Sequence, residues 1–443
     1  MSILHISCHI DITTHKFDYH LTIPQSVGSP TLAHLESYAA LPYIRIDGDW
    51  APRESSKPKT KYTIFWSDGS LWMEAHRYLA EKRVKSPTIR SNAYDLKAYA
   101  DWLEENNLHW LHFPIKREDR CLERFRGHLI NTSTKTSSLA SRRINAVVNF
   151  YKWVKARGLI DKQLEMWADQ QIAATYFDQT GFNRTLSVWT TDLRIPHRKA
   201  NITSVEDGLM PLSTEDRDTL LRYLKQNSSE QNIILHAMFT LGFFTGARIG
   251  SIRTLRIENL KSAIVDPTSI SIGEHPDSFI LLIAAGPGTG IDTKFDVRGY
   301  LRFLKPVHEF ILEYAETNVT RLKRQAKASK ANKSLVFLTK DGNPYSEASI
   351  NTALSDLRKA LVRDNLTQFH DLKFHQSRAT CGTELARLYM SVSDANAIEH
   401  VRDWLMHKNA STTWKYVKFL KTSKTARKVN KEFTNQFLGP NFF

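Results

Sequence analysis

The sequence predicts a mainly α-helical protein with a small β-sheet in its C-terminal domain. Three observations lead there: apolar residues at helical spacing from about 67 to 160, a new helix start at Ser213, and short strand-like runs around Ile270–Ile272 and Phe279–Ala284 before a glycine-rich turn. At 443 residues, against roughly 100–200 per domain, there is room for two or three domains, each with its own core.

Residues 1 to about 50 alternate polar and apolar positions in places, as in His9-Ile10-Asp11-Ile12, and read as strand or irregular structure. The stretch Pro52-Arg53-Glu54-Ser55-Ser56-Lys57-Pro58-Lys59-Thr60-Lys61 combines prolines, short polar residues and basic charge, all of which oppose helix. It reads as a linker, which makes residues 1–60 an N-terminal extension. At Ser86-Pro87 a serine can cap a helix and a proline can take its first position, after which Ala93, Leu96, Ala100 and Leu103 share a face opposite Arg90, Lys97 and Glu104. A later helix from about Ser137 places Ile144, Val147, Val148, Tyr151 and Val154 on one face until Gly158 stops it. Residues 61–185 therefore read as a small helical bundle. Arg142, Arg143, Lys152 and Lys155 fall largely outside that face, as an ordinary solvated surface or as the basic side of a helix able to enter a nucleic-acid groove. Arg142, Arg143 and Lys152 are the candidates for the second role. Between about 184 and 212 the periodicity fades and Pro196, Gly208 and Pro211 appear, so 186–211 reads as a linker. Ser213-Thr214-Glu215-Asp216 then opens the helices of a domain over 212–443, with acids in the first turn.

Lysine and arginine number 61 against 46 acids, a net charge of +15, which points to a polyanionic partner, nucleic acid first. Cys8, Cys121 and Cys381 are far apart and show no CxxC spacing, which suggests neither a disulfide framework nor a cysteine zinc site and fits a reducing compartment. The first twenty residues carry His5, His9, Asp11 and His15 instead of an apolar core behind basic residues, and no run of about 18 apolar residues occurs. A soluble, cytoplasmic protein is expected, with no membrane partner.

Chemistry-bearing residues occur in order along the second half. In Thr245-Gly246-Ala247-Arg248 an arginine follows a glycine between apolar residues. It cannot shed its charge on burial, so it requires a carboxylate or a phosphate beside it. Gly286-Pro287-Gly288-Thr289-Gly290-Ile291-Asp292-Thr293-Lys294 is too rich in glycine for helix and follows a strand. Lys294 there is either a surface hairpin lysine or a proton donor carried to a leaving oxygen. The run does not match GxxxxGK[ST], so it is no Walker loop. In His375-Gln376-Ser377-Arg378 the three-residue spacing puts an imidazole and a fork-shaped guanidinium side by side on a helix, where both can face one phosphate. Leu405-Met406-His407 follows, and then Tyr416 in Thr412-Thr413-Trp414-Lys415-Tyr416. With a phenol pKa of about 10, Tyr416 needs a base or a cationic pocket to act as a nucleophile. Zinc on His370, His375, His407 and Cys381 is disfavoured: neither HExxH nor paired cysteines occur, and an arginine inside the histidine motif repels a metal.

This ordered set resembles the tyrosine recombinase (phage integrase) family, whose pattern is TGxR, a lysine on a β-hairpin, HxxR, a late histidine or tryptophan after LG, and a tyrosine. TGAR supplies Arg248, the hairpin Lys294, HQSR His375 and Arg378, LMH His407 and TTWKY Tyr416, over roughly residues 210 to 425. The preceding bundle is similar to the family's core-binding domain, which implies a two-domain DNA clamp with an extra N-terminal segment. This chain departs from the pattern at Ser251, where an acid is usual, and at Met406, where glycine is usual. A rival register, His370-Asp371-Leu372-Lys373, ends in lysine. The His375 register restores the guanidinium and puts Thr380 and Thr383 where small hydroxyl residues are usual, leaving an insertion near Ser391–Glu399.

What the resemblance implies is site-specific recombination. Tyr416 would attack the scissile phosphate, leaving a 3′-phosphotyrosyl enzyme and a free 5′-hydroxyl, without cofactor, metal or ATP. Arg248 and Arg378 would hold the non-bridging oxygens, Lys294 would protonate the leaving oxygen, and His375 and His407 would assist proton transfer. The implied partner is double-stranded DNA, bound by a homotetramer on paired sites. The segment with Lys418, Lys421, Lys424, Arg427, Lys428 and Lys431, ending in Phe437-Leu438 and Phe442-Phe443, would dock on a neighbouring protomer or lie on DNA as a basic tail. Arg321, Lys323, Arg324, Lys327, Lys330 and Lys333 form another basic run, on phosphates or at a solvated helix end. A type IB topoisomerase-like enzyme and a non-catalytic DNA-binding protein on the same fold are the competing readings.

Overall fold

The computed structural model describes residues 7–10, 17–20, 32–40, 43–46, 49–52, 59–132, 137–177, 183–196, 205, 208–271, 275–392 and 394–423. The chain divides into two compact units, Met1–Ala174 with Ser187–Ala200, and Thr175–Leu186 with Asn201–Phe443. The basic, aromatic-ended tail beyond 423 lies outside the described residues.

In the first unit β1 (Ser7–Ile10) pairs with β2 (Phe17–His20), β3 (His34–Ala40) with β6 (Lys59–Phe65), and β4 (Tyr43–Ile46) with β5 (Asp49–Pro52), all antiparallel. The expected boundary at 60/61 therefore falls inside a strand. Lys59-Thr60-Lys61 looked like linker because of its charge, but it opens a β-branched and aromatic run. Tyr62, Ile64 and Phe65 are buried, and Ala33 from the supposed extension joins the same core. Residues 53–58 of the expected linker lie outside the described residues.

The helices follow as α1 (Met73–Glu81), α2 (Ser86–Glu105), α3 (Cys121–Thr132) and α4 (Ser137–Ala156). Ala93, Leu96, Ala100 and Leu103 of α2 and Ile144, Val147, Tyr151 and Val154 of α4 all have no solvent exposure, so the amphipathic faces pack as the periodicity requires. The start of α2 is one residue earlier than the Ser-Pro pair suggests: Lys85 is the cap and makes no side-chain cap bond. Gly158 (φ +67) ends the α4 segment, with Leu159 N–H donating to Val154 O. Next, β7 (Asp169–Phe177) and β8 (Asn183–Thr191) form a two-stranded ribbon, so the first part of the expected linker is strand.

The second unit begins with α5 (Thr214–Gln226), capped by Ser213 Oγ, which accepts from Asp216 N at 3.0 Å. Helix α6 (Glu230–Thr245) is apolar nearly all round and forms the middle of the core, with Leu235, Met238, Phe239 and Leu241 buried. After it come α7 (Ile249–Thr254), α8 (Ile257–Lys261), β9 (Ile264–Val265), α9 (Pro267–Ser271), β10 (Ile280–Ala285) and β11 (Gly299–Leu304). The strands make one antiparallel sheet in the order β11-β10-β9. The strand expected around Ile270–Ile272 is instead the end of α9, with Ile272 outside the described residues. The Asp266-Pro267 pair starts a helical turn there, Asp266 Oδ1 accepting from Thr268 N at 3.0 Å and proline taking the first helical position.

The unit continues with α10 (Lys305–Thr317), α11 (Val319–Lys327), α12 (Glu347–Arg363), α13 (His375–Val392), α14 (Asp394–Trp404) and a helix over 410–423, here α15. Helix α13 crosses α6 at Gly242, where a Cβ would stand 2.1 Å from Ser377 Oγ, so only glycine permits that approach. Arg321 and Arg324 of α11 correct the reading of their basic run. They are 2% and 8% exposed: Arg321 donates to the carbonyls of Lys333 and Leu335, and Arg324 to Leu338 O, Tyr345 Oη and Glu230. Both are internal struts that satisfy main-chain carbonyls, which removes them from any phosphate-binding surface. Among the described residues no helix is long and apolar enough to cross a membrane.

Candidate active site

Arg378 sits one turn into α13 and is 1% exposed. Its guanidinium donates from Nη1 to Gly246 O at 2.5 Å and from Nη2 to Leu405 O at 2.7 Å. Gly246 is the left-handed cap of α6 (φ +66), two residues before Arg248, and Leu405 lies two residues before His407. One side chain thus ties the TGAR turn and the LMH turn to the HQSR helix. The approach is close: a Cβ on Gly246 would stand 2.4 Å from Leu405 Cδ2.

Arg248 is the half-buried cap residue of α7, and α7 in turn holds the hairpin loop. Ser251 Oγ donates to Asp292 O at 2.7 Å, and Thr254 Oγ1 accepts from Asp292 N at 2.9 Å. Asp292 is two residues from Lys294, which is exposed on the turn between β10 and β11. Ser251, standing where an acid is usual, therefore serves as a clamp on the lysine loop. His375 is the half-buried first residue of α13.

Tyr416, on α15, has no solvent exposure. Its ring stacks with that of His407 at 5.9 Å between centroids, and His407 Nδ1 lies 2.8 Å from Thr413 Oγ1. On the other side the phenol packs into a slot on α13: a Cβ on Gly382 would stand 2.6 Å from Tyr416 Cε1 and 2.8 Å from Cζ. Val205, Cys381, Val401, Leu405 and Leu420 share its apolar cluster. Val205 comes from the expected linker, whose end is tied to α13 where Leu212 N donates to Thr380 Oγ1 and Gln376 Nε2 to Met210 O. Burial pushes the Cys381 thiol up to about 12, against the opposing pull of Arg378, so it is a protonated core group.

Met406 occupies the left-handed region (φ +48), which accounts for the preference for glycine there. Its side chain is 9% exposed and packs on Gly299 at the start of β11, where a Cβ would stand 3.0 Å from its Sδ. The rival register faces water: His370 and Lys373 are both exposed, and Lys373 pairs with Asp371 at 3.6 Å.

The segments of Arg248, Lys294, His375, Arg378, His407 and Tyr416 are thus joined by direct contacts within one unit. Arg142 and Arg143 belong to a different setting. Arg142 closes its fork on the buried Asp95 at 2.9 and 3.0 Å, and Arg143 lies 3.9 Å from the same carboxylate. Their charge first serves a buried acid, whereas Lys152 is exposed. Sequence reasoning missed Thr413 and Gly382. For Thr413 the signal was present, since it lies three residues before Tyr416 and hence on the same helix face.

The Tyr416 phenol thus lies in an apolar slot with the His407 imidazole against its ring and the segments that carry Arg248 and Arg378 next to it. Residues 295–422 match the family model described as the phage integrase family. Among solved structures, the Tn1549 transposon integrase in complex with circular-intermediate DNA is similar at 12% identity and a TM-score of 0.48, over 78% of this chain and 93% of that one. The XerH site-specific recombinase bound to its difH substrate is similar at 14% identity and a TM-score of 0.45, over 74% and 75%. No curated protein matches in sequence.

Proposed function

We propose that this protein is a site-specific DNA recombinase that cuts and rejoins double-stranded DNA through Tyr416. The phenol oxygen attacks the scissile phosphorus, the bond to the 5′ oxygen breaks, and a 3′-phosphotyrosyl link remains. Lys294 delivers the proton that the leaving 5′ oxygen takes up, and His375 and His407 handle the phenol proton. Arg248 holds the non-bridging oxygens, and Arg378 joins it only when DNA binding frees its fork from the carbonyls of Gly246 and Leu405; loss of one such donor typically raises the barrier by about 3–4 kcal/mol. The link conserves the ester's energy, so a 5′-hydroxyl from a second duplex reverses the step, and neither metal nor ATP is needed.

The observation that carries this reading is the fork of Arg378 on the carbonyls of Gly246 and Leu405, which holds three cation-bearing segments at one place beside the Tyr416 ring. Because Tyr416 and Arg378 are both buried, the account requires DNA to draw α15 away from α13 before attack. The working assembly in this account is a homotetramer on paired sites, with tail exchange between protomers. In its support, an apolar cavity of about 580 Å³ opens between α5, α6 and α10, lined by Leu221, Leu224, Ile233, Phe244, Val307 and Phe310. It has the character to seat the Phe437-Leu438 or Phe442-Phe443 end of a second copy.

The test is recombination between two plasmid-borne candidate sites, with EDTA present and nucleotides absent. Exchanged products from wild type and none from Tyr416→Phe are expected. Relaxation of supercoils on plasmids lacking any site, with no exchange, would favour a topoisomerase instead.

A further inference from the structure

The turn that carries Lys294 also presents Phe295, and the assignments above give that ring no role. Phe295 is 65% exposed, four residues before β11 in the connection from β10, and its backbone is left-handed (φ 63, ψ 21). Asp296 beside it is left-handed too (φ 54). Two successive side-chain-bearing residues in that region are a strained arrangement that persists only when the surroundings impose it. They do: Thr293 Oγ1 donates to Val297 O at 2.7 Å across the turn, and α7 clamps Asp292 at its base. The fold therefore holds an aromatic ring rigidly out into solvent. Two ammonium groups from separate segments attend it, Lys294 Nζ at 5.6 Å and Lys408 Nζ at 5.9 Å from the ring centroid. Lys408 adjoins His407, so the ring bridges the hairpin loop and the late-histidine turn.

We infer that Phe295 is a DNA-engaging residue that stacks on, or wedges beside, a base of the strand adjoining the scissile phosphate, with Lys294 at that phosphate and Lys408 on a flanking one. A rigid ring with attendant cations is the combination by which proteins hold an unstacked base, the ring meeting its face and the ammoniums its backbone. The inference rests on the recombinase reading and adds to it a place where the duplex is locally opened.

The experiment places 2-aminopurine at each base flanking the cleavage point of a nicked duplex on which the wild-type protein forms its covalent adduct. Wild type is expected to change the fluorescence of one position at least threefold. Phe295→Trp keeps the change, while Phe295→Ala and Phe295→Gly lose it and bind the duplex about tenfold or more weakly. Phe295→Gly also removes the backbone strain, so its melting temperature should equal or exceed that of wild type, which excludes misfolding as the cause. The inference is overturned if Phe295→Ala binds, cleaves and perturbs the probe as wild type does, or if its only defect is in self-association. If wild type forms no adduct on any duplex, the recombinase reading fails and takes this one with it.

Discussion

Gly382→Ala probes the slot that holds Tyr416. The added methyl would stand 2.6 Å from Tyr416 Cε1 and 2.8 Å from both Tyr416 Cζ and Leu405 Cδ1, about 1 Å inside the usual 3.5–4.0 Å separation of carbon atoms. Overpacking of this kind costs about 1–3 kcal/mol. Alanine in mid-helix recovers about 1 kcal/mol over glycine, so the single change should destabilise by roughly 0–2 kcal/mol. Tyr416→Ala alone removes a fully buried ring and should cost about 3–5 kcal/mol. With the ring gone, two of the three close contacts vanish and Leu405 Cδ1 can turn into the vacated space, so Gly382→Ala should become stabilising by up to about 1 kcal/mol. The double-mutant cycle, read by urea unfolding of the full-length chain, should therefore show a coupling of about 1–3 kcal/mol. Additivity within about 0.5 kcal/mol would mean that the phenol does not rest on α13, and the reasoning would fail.

Met406→Gly relieves a left-handed methionine, worth about 1 kcal/mol, but removes a buried side chain worth about 2–5 kcal/mol. Thermal unfolding should show a net loss, and a gain would contradict the packing on Gly299. Arg142→Ala leaves the 2% exposed Asp95 with only the longer 3.9 Å contact to Arg143 and should destabilise the chain by about 1–3 kcal/mol, whereas Lys152→Ala should leave stability unchanged. The lysine change should instead reduce the slope of log binding constant against log salt by about 1, and an unaltered slope would remove Lys152 from the DNA surface. Cys381, whose thiol is pushed up to about 12, should resist alkylation at pH 8 in the free protein and become reactive when DNA draws Tyr416 from the shared cluster. Mass spectrometry of the labelled peptide reads it, and equal labelling with and without DNA would contradict the opening step.

What could be read from the sequence was local. The spacing of His375 and Arg378 is a helix property, Gly246 before Arg248 marks a helix end, and the glycines from 286 to 290 mark a hairpin; each signal lies within a few residues of what it places. What escaped depends on distant partners. Arg321 and Arg324 read as solvated charge because the carbonyls they serve lie 12 to 14 residues further on. Lys59-Thr60-Lys61 read as linker because its pairing partner, β3, precedes it by some twenty residues. The burial of Tyr416 comes from Gly382, Val205 and Leu405, which no periodicity within α15 announces. Met406 is a mixed case, since its place in the pattern marked it as unusual and only the backbone supplied the reason.

The most direct measurement is the identity of the residue left on DNA. The protein is incubated with nicked duplexes that lose the 5′-hydroxyl strand after cleavage, then denatured and digested, and the nucleotide-bearing peptide is sequenced. A single modified residue is expected, Tyr416, joined to a 3′-phosphate, and none in Tyr416→Phe. A 3′-phosphate adduct on another side chain, or strand cleavage undiminished in Tyr416→Phe, would contradict it.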